Sequence, residues 1–189
     1  MSLNISVIYG STRKGRLGIR LAKYIKNQVD NSNHTGYLID PMYYNLPLLH
    51  KRIEDFEVKK LPEKMKELKN IFKITDAFII VSAEYNHMPP PALINLLNYF
   101  SSEYNRKIST VCTYSVGDFA GIRVQTPLRA MLSQLGCPPI KHGMFQPNIS
   151  KTINEEGIVN KNDDAHKRFN IFFDELIWYA KALKKEREN

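Results

Sequence analysis

Cysteine is scarce in this sequence: Cys112 and Cys137 are the only two in 189 residues, with no C-x-x-C spacing and no clustered histidines beside them. A disulfide framework and a zinc site are thereby excluded, which leaves two core thiols. Long hydrophobic runs are missing as well, since no stretch approaches the roughly 18 apolar residues that span a bilayer. The opening Met1-Ser-Leu-Asn4 lacks the charged and apolar regions of a secretory signal, so a cytoplasmic protein with no membrane partner is expected. No repeat or low-complexity tract interrupts the chain, and its length suits a single domain, 1–189. Acidic residues are the rarer charge, 19 against 27 Lys and Arg, giving a net +8. The basic surplus concentrates in Lys59 to Lys73 and Lys181 to Arg187, where Glu63, Glu67, Glu186 and Glu188 are interleaved as on solvated helix faces. No recognition motif accompanies that charge, so no nucleic-acid partner is expected.

Two familiar phosphate signatures are absent too. The apolar run Ile5-Ser-Val-Ile-Tyr9 enters Gly10-Ser-Thr-Arg-Lys-Gly-Arg-Leu-Gly18. The dinucleotide fingerprint G-x-G-x-x-G fails because Ser11 and Thr12 follow Gly10. Gly10-x4-Gly15 has the spacing of a nucleotide P-loop, but Arg16-Leu17 stands where Lys-Ser/Thr is required, leaving no lysine for a terminal phosphate and no hydroxyl for magnesium. What is present is a strand-to-helix turn with the hydroxyls of Ser11 and Thr12, the guanidinium forks of Arg13 and Arg16, and the unpaired N–H groups and partial positive charge of a helix start. The segment is therefore either a cradle for one terminal phosphomonoester, as in FMN, or an ordinary turn with solvated arginines.

Apolar runs of strand length alternate with segments of helical period along the chain. Strands are expected at Ile5–Tyr9, Tyr37–Ile39, Ala77–Val81, Ile108–Thr113 and Ile140–Phe145. Helices are expected from Leu17 to Val29, from Pro62 onward, from Ala92 to Phe100, from Ile122 to Leu135 with Pro127 kinking it or delaying its start, and from Asp163 to Lys185. The last helix carries a core stripe of Phe169, Phe172, Phe173, Leu176, Ile177, Tyr179 and Leu183. Pro41 to Phe56 and Gln146 to Asn162 show no period and are expected to be loops. Five strands alternating with helices predict an α/β, flavodoxin-like three-layer sandwich, a five-stranded parallel sheet of order 2-1-3-4-5.

Ligands of such sheets bind outside the carboxyl ends of the strands. Three loops of unusual composition fall there: Gly10 to Gly18, Ser82 to Pro91, and Tyr114 to Gly121. The second offers ring walls and polar groups suited to a planar heterocycle. The third has glycines that let the backbone approach a ring. Gly10-Ser11-x-Arg13, Glu84-Tyr85-Asn86-x-x-x-Pro90 with Leu93 and Asn95, and Ser115-x-Gly117-x-x-x-Gly121 with Leu128-Arg129 and Leu135-Gly136 occur in order over roughly residues 4 to 145. In these motifs the chain resembles the NADPH-dependent FMN reductases, the flavodoxin-like group that also holds quinone, azo and chromate reductases. Arg16, Ala83 and Ala120 depart from the family pattern, which usually has serine, proline and glycine there.

The resemblance implies that Ser11, Thr12, Arg13, Arg16, Leu17 and Gly18 hold the FMN phosphate. Glu84, Tyr85, Asn86 and His87 would line the isoalloxazine ring, and Ser115, Gly117, Asp118 and Gly121 would close the other side. It implies an FMN-dependent NAD(P)H oxidoreductase passing electrons to a small-molecule acceptor (a quinone, azo compound, metal oxyanion or flavin), assembled as a homodimer or homotetramer. No side-chain nucleophile or base is required, and no catalytic residue or metal is assigned. Each position also has a plain structural role open to it: a solvent-facing rim for His87, subunit packing for Tyr85, a carboxylate turned elsewhere for Glu84, and turn formation for Asp118 and Asp40. A flavodoxin-type electron carrier and a protein that binds another phosphorylated molecule remain the alternatives. A receiver domain is excluded because no carboxylate ends the first strand.

Overall fold

Strand β3 (Ala77–Ser82) is buried at every position and forms the centre of a parallel sheet, as expected of a continuous apolar run covered on both faces. The computed structural model describes residues 1–57 and 60–189, so Lys59, at the head of the first basic stretch, lies outside the described residues. Beside β3 run β1 (Asn4–Tyr9) and β4 (Ile108–Tyr114), with β2 (Thr35–Ile39) and β5 (Met144–Gln146) at the edges, in the expected order β2-β1-β3-β4-β5. Side chains alternate between two cores. Ile5, Val7, Tyr9, Ile79 and Val81 pack with α1 (Ile19–Asn31) and α7 (Ala165–Glu188). Ile8, Phe78 and Ile80 pack with α3 (Glu63–Ile74), α4 (Pro91–Asn98) and α5 (Gln125–Leu135). No helix among the described residues is long and apolar enough to cross a membrane.

Four local expectations are corrected. Residues 41–56 contain a short helix, α2 (Pro41–Tyr44), and a 3₁₀ turn at Ile53–Asp55; Asp40 starts α2 by accepting the Met42 N–H at 2.9 Å, the role of an N-cap. Residues 146–162 likewise contain α6 (Ile149–Thr152) and an Ile153–Val159 bridge. The fifth strand covers only Met144–Gln146. Upstream, Ile140 N–H still reaches Ser109 O at 2.9 Å, but Gln125 Nε2 takes Val111 O at 2.9 Å, so a carbonyl of β4 is bonded from α5. On α7 the buried stripe steps through Phe172, Leu176 and Ala180, which turns Tyr179 to solvent. Pro127 delays its helix as expected: a 3₁₀ turn, Ile122–Val124, precedes α5, and the proline occupies the first α-helical turn, where its missing N–H costs little.

Candidate functional site

The first loop leaves β1 through a backbone bond from Gly10 N–H to Val81 O, 3.0 Å, which ties it to the neighbouring strand. Gly15 turns it with φ +70°, a left-handed conformation that favours glycine. Arg16 does not point outward. Its guanidinium grips Asp40 through two 2.5 Å bonds, donates to Ser11 O at 3.0 Å, and lies 5.1 Å from the Tyr9 ring centroid. Hydrogen bonding to Asp40 raises its pKa further, so Arg16 braces the loop as a permanent cation. Arg13, by contrast, has no ion pair among the described residues, and its guanidinium stands 5.6 Å from the Tyr85 ring centroid. The backbone N–H groups of Thr12, Lys14, Gly15 and Leu17 make no hydrogen bond among the described residues, so the turn offers several donors and one unengaged fork.

Beneath the loop lies a chain of hydroxyls. Ser11 Oγ is 2.7 Å from the Tyr85 hydroxyl, and the buried Tyr9 and Tyr114 hydroxyls are 3.2 Å apart. Burial raises the pKa of both buried phenols, which keeps them protonated at neutral pH. Tyr114 also explains Gly18: a Cβ there would lie 1.9 Å from the Tyr114 Cζ.

In the second loop the Glu84 carboxylate accepts Arg123 N–H at 3.0 Å, tying this loop to the third. Tyr85 and Met88 exchange backbone bonds of 2.9 and 3.0 Å around Asn86 and His87, whose φ angles are 52° and 65°. That is a two-residue hairpin turn, and it carries His87 outward with an exposed side chain. The third loop is pinned by Ser115 Oγ to Gly117 O at 2.6 Å, by Ile149 N–H to Ser115 O at 3.0 Å, and by Asn148 Nδ2 to Asp118 Oδ1 at 2.8 Å. Gly121 supports its end with φ +66°, whereas a Cβ on Gly117 would meet open space, so Gly117 leaves room beside its backbone.

The three loops enclose a cleft of about 460 Å³, within the usual range of small-molecule sites. Of the expected site residues, Ser11, Arg13, Arg16, Leu17, Glu84, Tyr85, Ser115, Gly117 and Gly121 line it together. Thr12 faces a neighbouring groove with Pro41, Met42 and Asn45. Gly18 lies behind the wall against Tyr114, Asn86 and His87 sit at the hairpin tip, and Asp118 turns to Asn148. The sequence reading missed Lys14, Gly15, Ala83, Tyr114, Val116, Phe119 and Arg123. Val116 and Phe119 had a visible signal, large apolar residues in a glycine-bearing loop, and both are exposed. No group of acidic, histidine or cysteine side chains suited to a metal occurs among the described residues.

A family model described as NADPH-dependent FMN reductase matches residues 3–150. The NADPH azoreductase of Bacillus sp. (strain OY1-2) is 31% identical over 192 residues, covering 98% of this chain and 97% of its own length. Among solved structures, the NAD(P)H:(acceptor) oxidoreductase FerB from Paracoccus denitrificans superposes with a TM-score of 0.76 at 20% identity, covering 95% of this chain and 98% of that one. A flavodoxin from Pseudomonas aeruginosa superposes at 0.55 with 14% identity, over 95% and 98% of the two chains. The two structural likenesses establish a common fold.

Proposed function

Since the chain belongs to the NADPH-dependent FMN reductase family and is an NAD(P)H-dependent flavin oxidoreductase, we propose that the cleft between the three loops holds FMN with its phosphate in the first loop. The observation that carries this assignment is the pairing of unengaged N–H groups at Lys14, Gly15 and Leu17 with the unpaired Arg13 fork at one end of a 460 Å³ cleft. Ser11 adds a hydroxyl in the cleft and Thr12 one in the adjoining groove, while Arg16, already claimed by Asp40, positions the turn and adds long-range positive charge. Gly18 lets helix α1 start directly above Tyr114. Tyr85 supplies a ring at the cleft wall, Ser115 lines it, Gly117 leaves open space beside its backbone, and Gly121 and Glu84 hold the third loop in place. Asn86, His87 and Asp118 form the outer rim.

When bound, FMN supplies the redox chemistry, accepting hydride from NAD(P)H and delivering electrons to a second substrate. The chain's own contribution is to orient and enclose. The neutral Tyr9–Tyr114 pair puts no negative charge beneath the phosphate loop. The exposed apolar Val116 and Phe119 form a rim that suits a flat aromatic acceptor, a quinone, an azo compound or a flavin, better than a metal oxyanion. The whole chain would act as one FMN-binding unit, since helices from both its ends cover the sheet. It would assemble as a homodimer, with exposed Met88 and Ile122 beside the second and third loops as its support.

Addition of FMN to the purified protein is expected to give a bound flavin absorption spectrum, and anaerobic NADPH is expected to bleach it. Bound flavin that NADPH leaves oxidised would instead mark an electron carrier, and a protein that does not take up FMN would overturn the cleft assignment.

A further inference from the structure

Phe119 and Arg123 stand at the mouth of the cleft, where a loose ion pair between Arg123 and Glu84 leaves the guanidinium N–H groups without an acceptor among the described residues. Phe119 leaves 71% of its surface in solvent. The Arg123 guanidinium lies 5.2 Å from its ring centroid and makes no hydrogen bond among the described residues. The nearest carboxylate oxygen, Glu84 Oε1, is 3.8 Å away, beyond hydrogen-bond length, and the other oxygen of that carboxylate is occupied by the backbone N–H of Arg123 itself at 3.0 Å.

The backbone that presents these side chains is firmly held. Ile122 N–H donates to Phe119 O at 3.1 Å, and Asn148 ties down both Gly117 O, at 3.2 Å, and Asp118, at 2.8 Å. An exposed ring and an unsatisfied fork on a rigid turn form a preorganised platform: the ring face stacks on planar molecules, and the guanidinium binds planar oxyanions through paired bonds. Arg123 follows the third loop, on the 3₁₀ turn Ile122–Val124, whereas Arg13 and Ser11, assigned above to the phosphate, belong to the first. A phosphate held in the first loop therefore leaves Arg123 as a separate cation.

We infer that Phe119 and Arg123 form a second anion-recognising subsite, which takes a planar substrate carrying a phosphate, sulfonate or carboxylate after the flavin is in place. The inference rests on the FMN assignment of the cleft. The anionic group has two sources, the 2′-phosphate of NADPH and a charged substituent on an aromatic electron acceptor, and one variant separates them.

Arg123→Met keeps the methylene stem against Phe119 and removes the charged fork. The first arm compares the dissociation constants of NADP⁺ and NAD⁺ by titration of the FMN-loaded protein; the second compares kcat/KM for a neutral benzoquinone and its sulfonate with NADH as donor. At low salt the preference for the anionic member of one pair is expected to fall roughly fivefold, the value of a partly exposed charged contact, and to fall less in high salt. The arm that changes names the ligand, and Arg123→Lys should restore part of the lost preference. Both preferences staying within about twofold of the unsubstituted protein would overturn the inference. Wild-type protein that fails to bind FMN in an absorbance titration would mark failure of the underlying flavin assignment instead.

Discussion

Arg13 and Arg16 sit three residues apart in one loop and do different work. Arg16 spends its fork on Asp40 and the Ser11 carbonyl, while that of Arg13 has no ion pair or hydrogen bond among the described residues and is the one we assign to the phosphate. Loss of one charge-assisted contact to phosphate, about 1.5–3 kcal/mol, predicts that Arg13→Ala raises the FMN dissociation constant roughly 10- to 100-fold without changing the thermal midpoint of the apoprotein. Flavin fluorescence quenching and a thermal melt measure both quantities. Gly18→Ala should act differently, because its Cβ would collide with Tyr114 at 1.9 Å. Overpacking of this kind costs about 1–3 kcal/mol, so urea denaturation should show lower stability together with weaker FMN binding. The loop's position was legible in the sequence: Ser11 and Arg13 stand where a strand leads into a helix. The claim of Asp40 on Arg16 was not, because it depends on β1 and β2 lying side by side with Ile8 opposite Ile39, a register no local pattern reveals.

At the scale of elements, the hairpin at Tyr85–Met88 imposes positive φ on both central residues. Glycine meets that requirement at the second position without steric cost, whereas His87 does not. His87→Gly is therefore expected to leave stability unchanged or raise it by up to about 1 kcal/mol, the strain released less the extra entropy of the unfolded glycine. Chemical denaturation checks the sign, and a loss above that size would show that the imidazole holds the loop through a contact. Local pattern was enough for β3 and for α1, whose apolar spacing directly reports burial. It failed at 140–143, where Ile140 ahead of Met144 and Phe145 could not report that Gln125 would take the Val111 carbonyl. It also missed α2 and α6, which are only four residues long and too short to display a period.

For the molecule as a whole, the cleft and the anchoring contacts occupy opposite edges of the sheet. The cleft lies at the carboxyl ends of the strands. At the amino ends the buried Asp76 accepts Asn4 N–H at 2.9 Å, Lys184 Nζ at 2.9 Å and Arg187 at 2.7 Å, joining the last helix to the first strand. Close by, Lys107 donates to Phe72 O at 2.7 Å and Lys73 O at 3.2 Å, closing the end of α3. Burial, aided by the charge of Arg187, pushes the Lys107 pKa down from 10.5 to about 8. Below pH 8 the amine is charged in both the folded and unfolded states, and the full cost of burying it is present. Between about 8 and 10.5 the unfolded chain binds more protons than the folded one, so this residue makes stability rise with pH. Lys107→Met removes the titration. Its loss of two carbonyl contacts is a pH-independent offset, so the difference in unfolding free energy, wild type minus variant, should climb by up to about 1.4 kcal/mol per pH unit across that window. Urea titrations at several pH values measure the slope, and a flat difference would refute the burial argument. A strand of six residues places some 20 Å between the two edges, more than twice the screening length in physiological salt. The same substitution should therefore leave the FMN dissociation constant at pH 7 where it was, which separates a residue that stabilises the scaffold from those that serve the cleft.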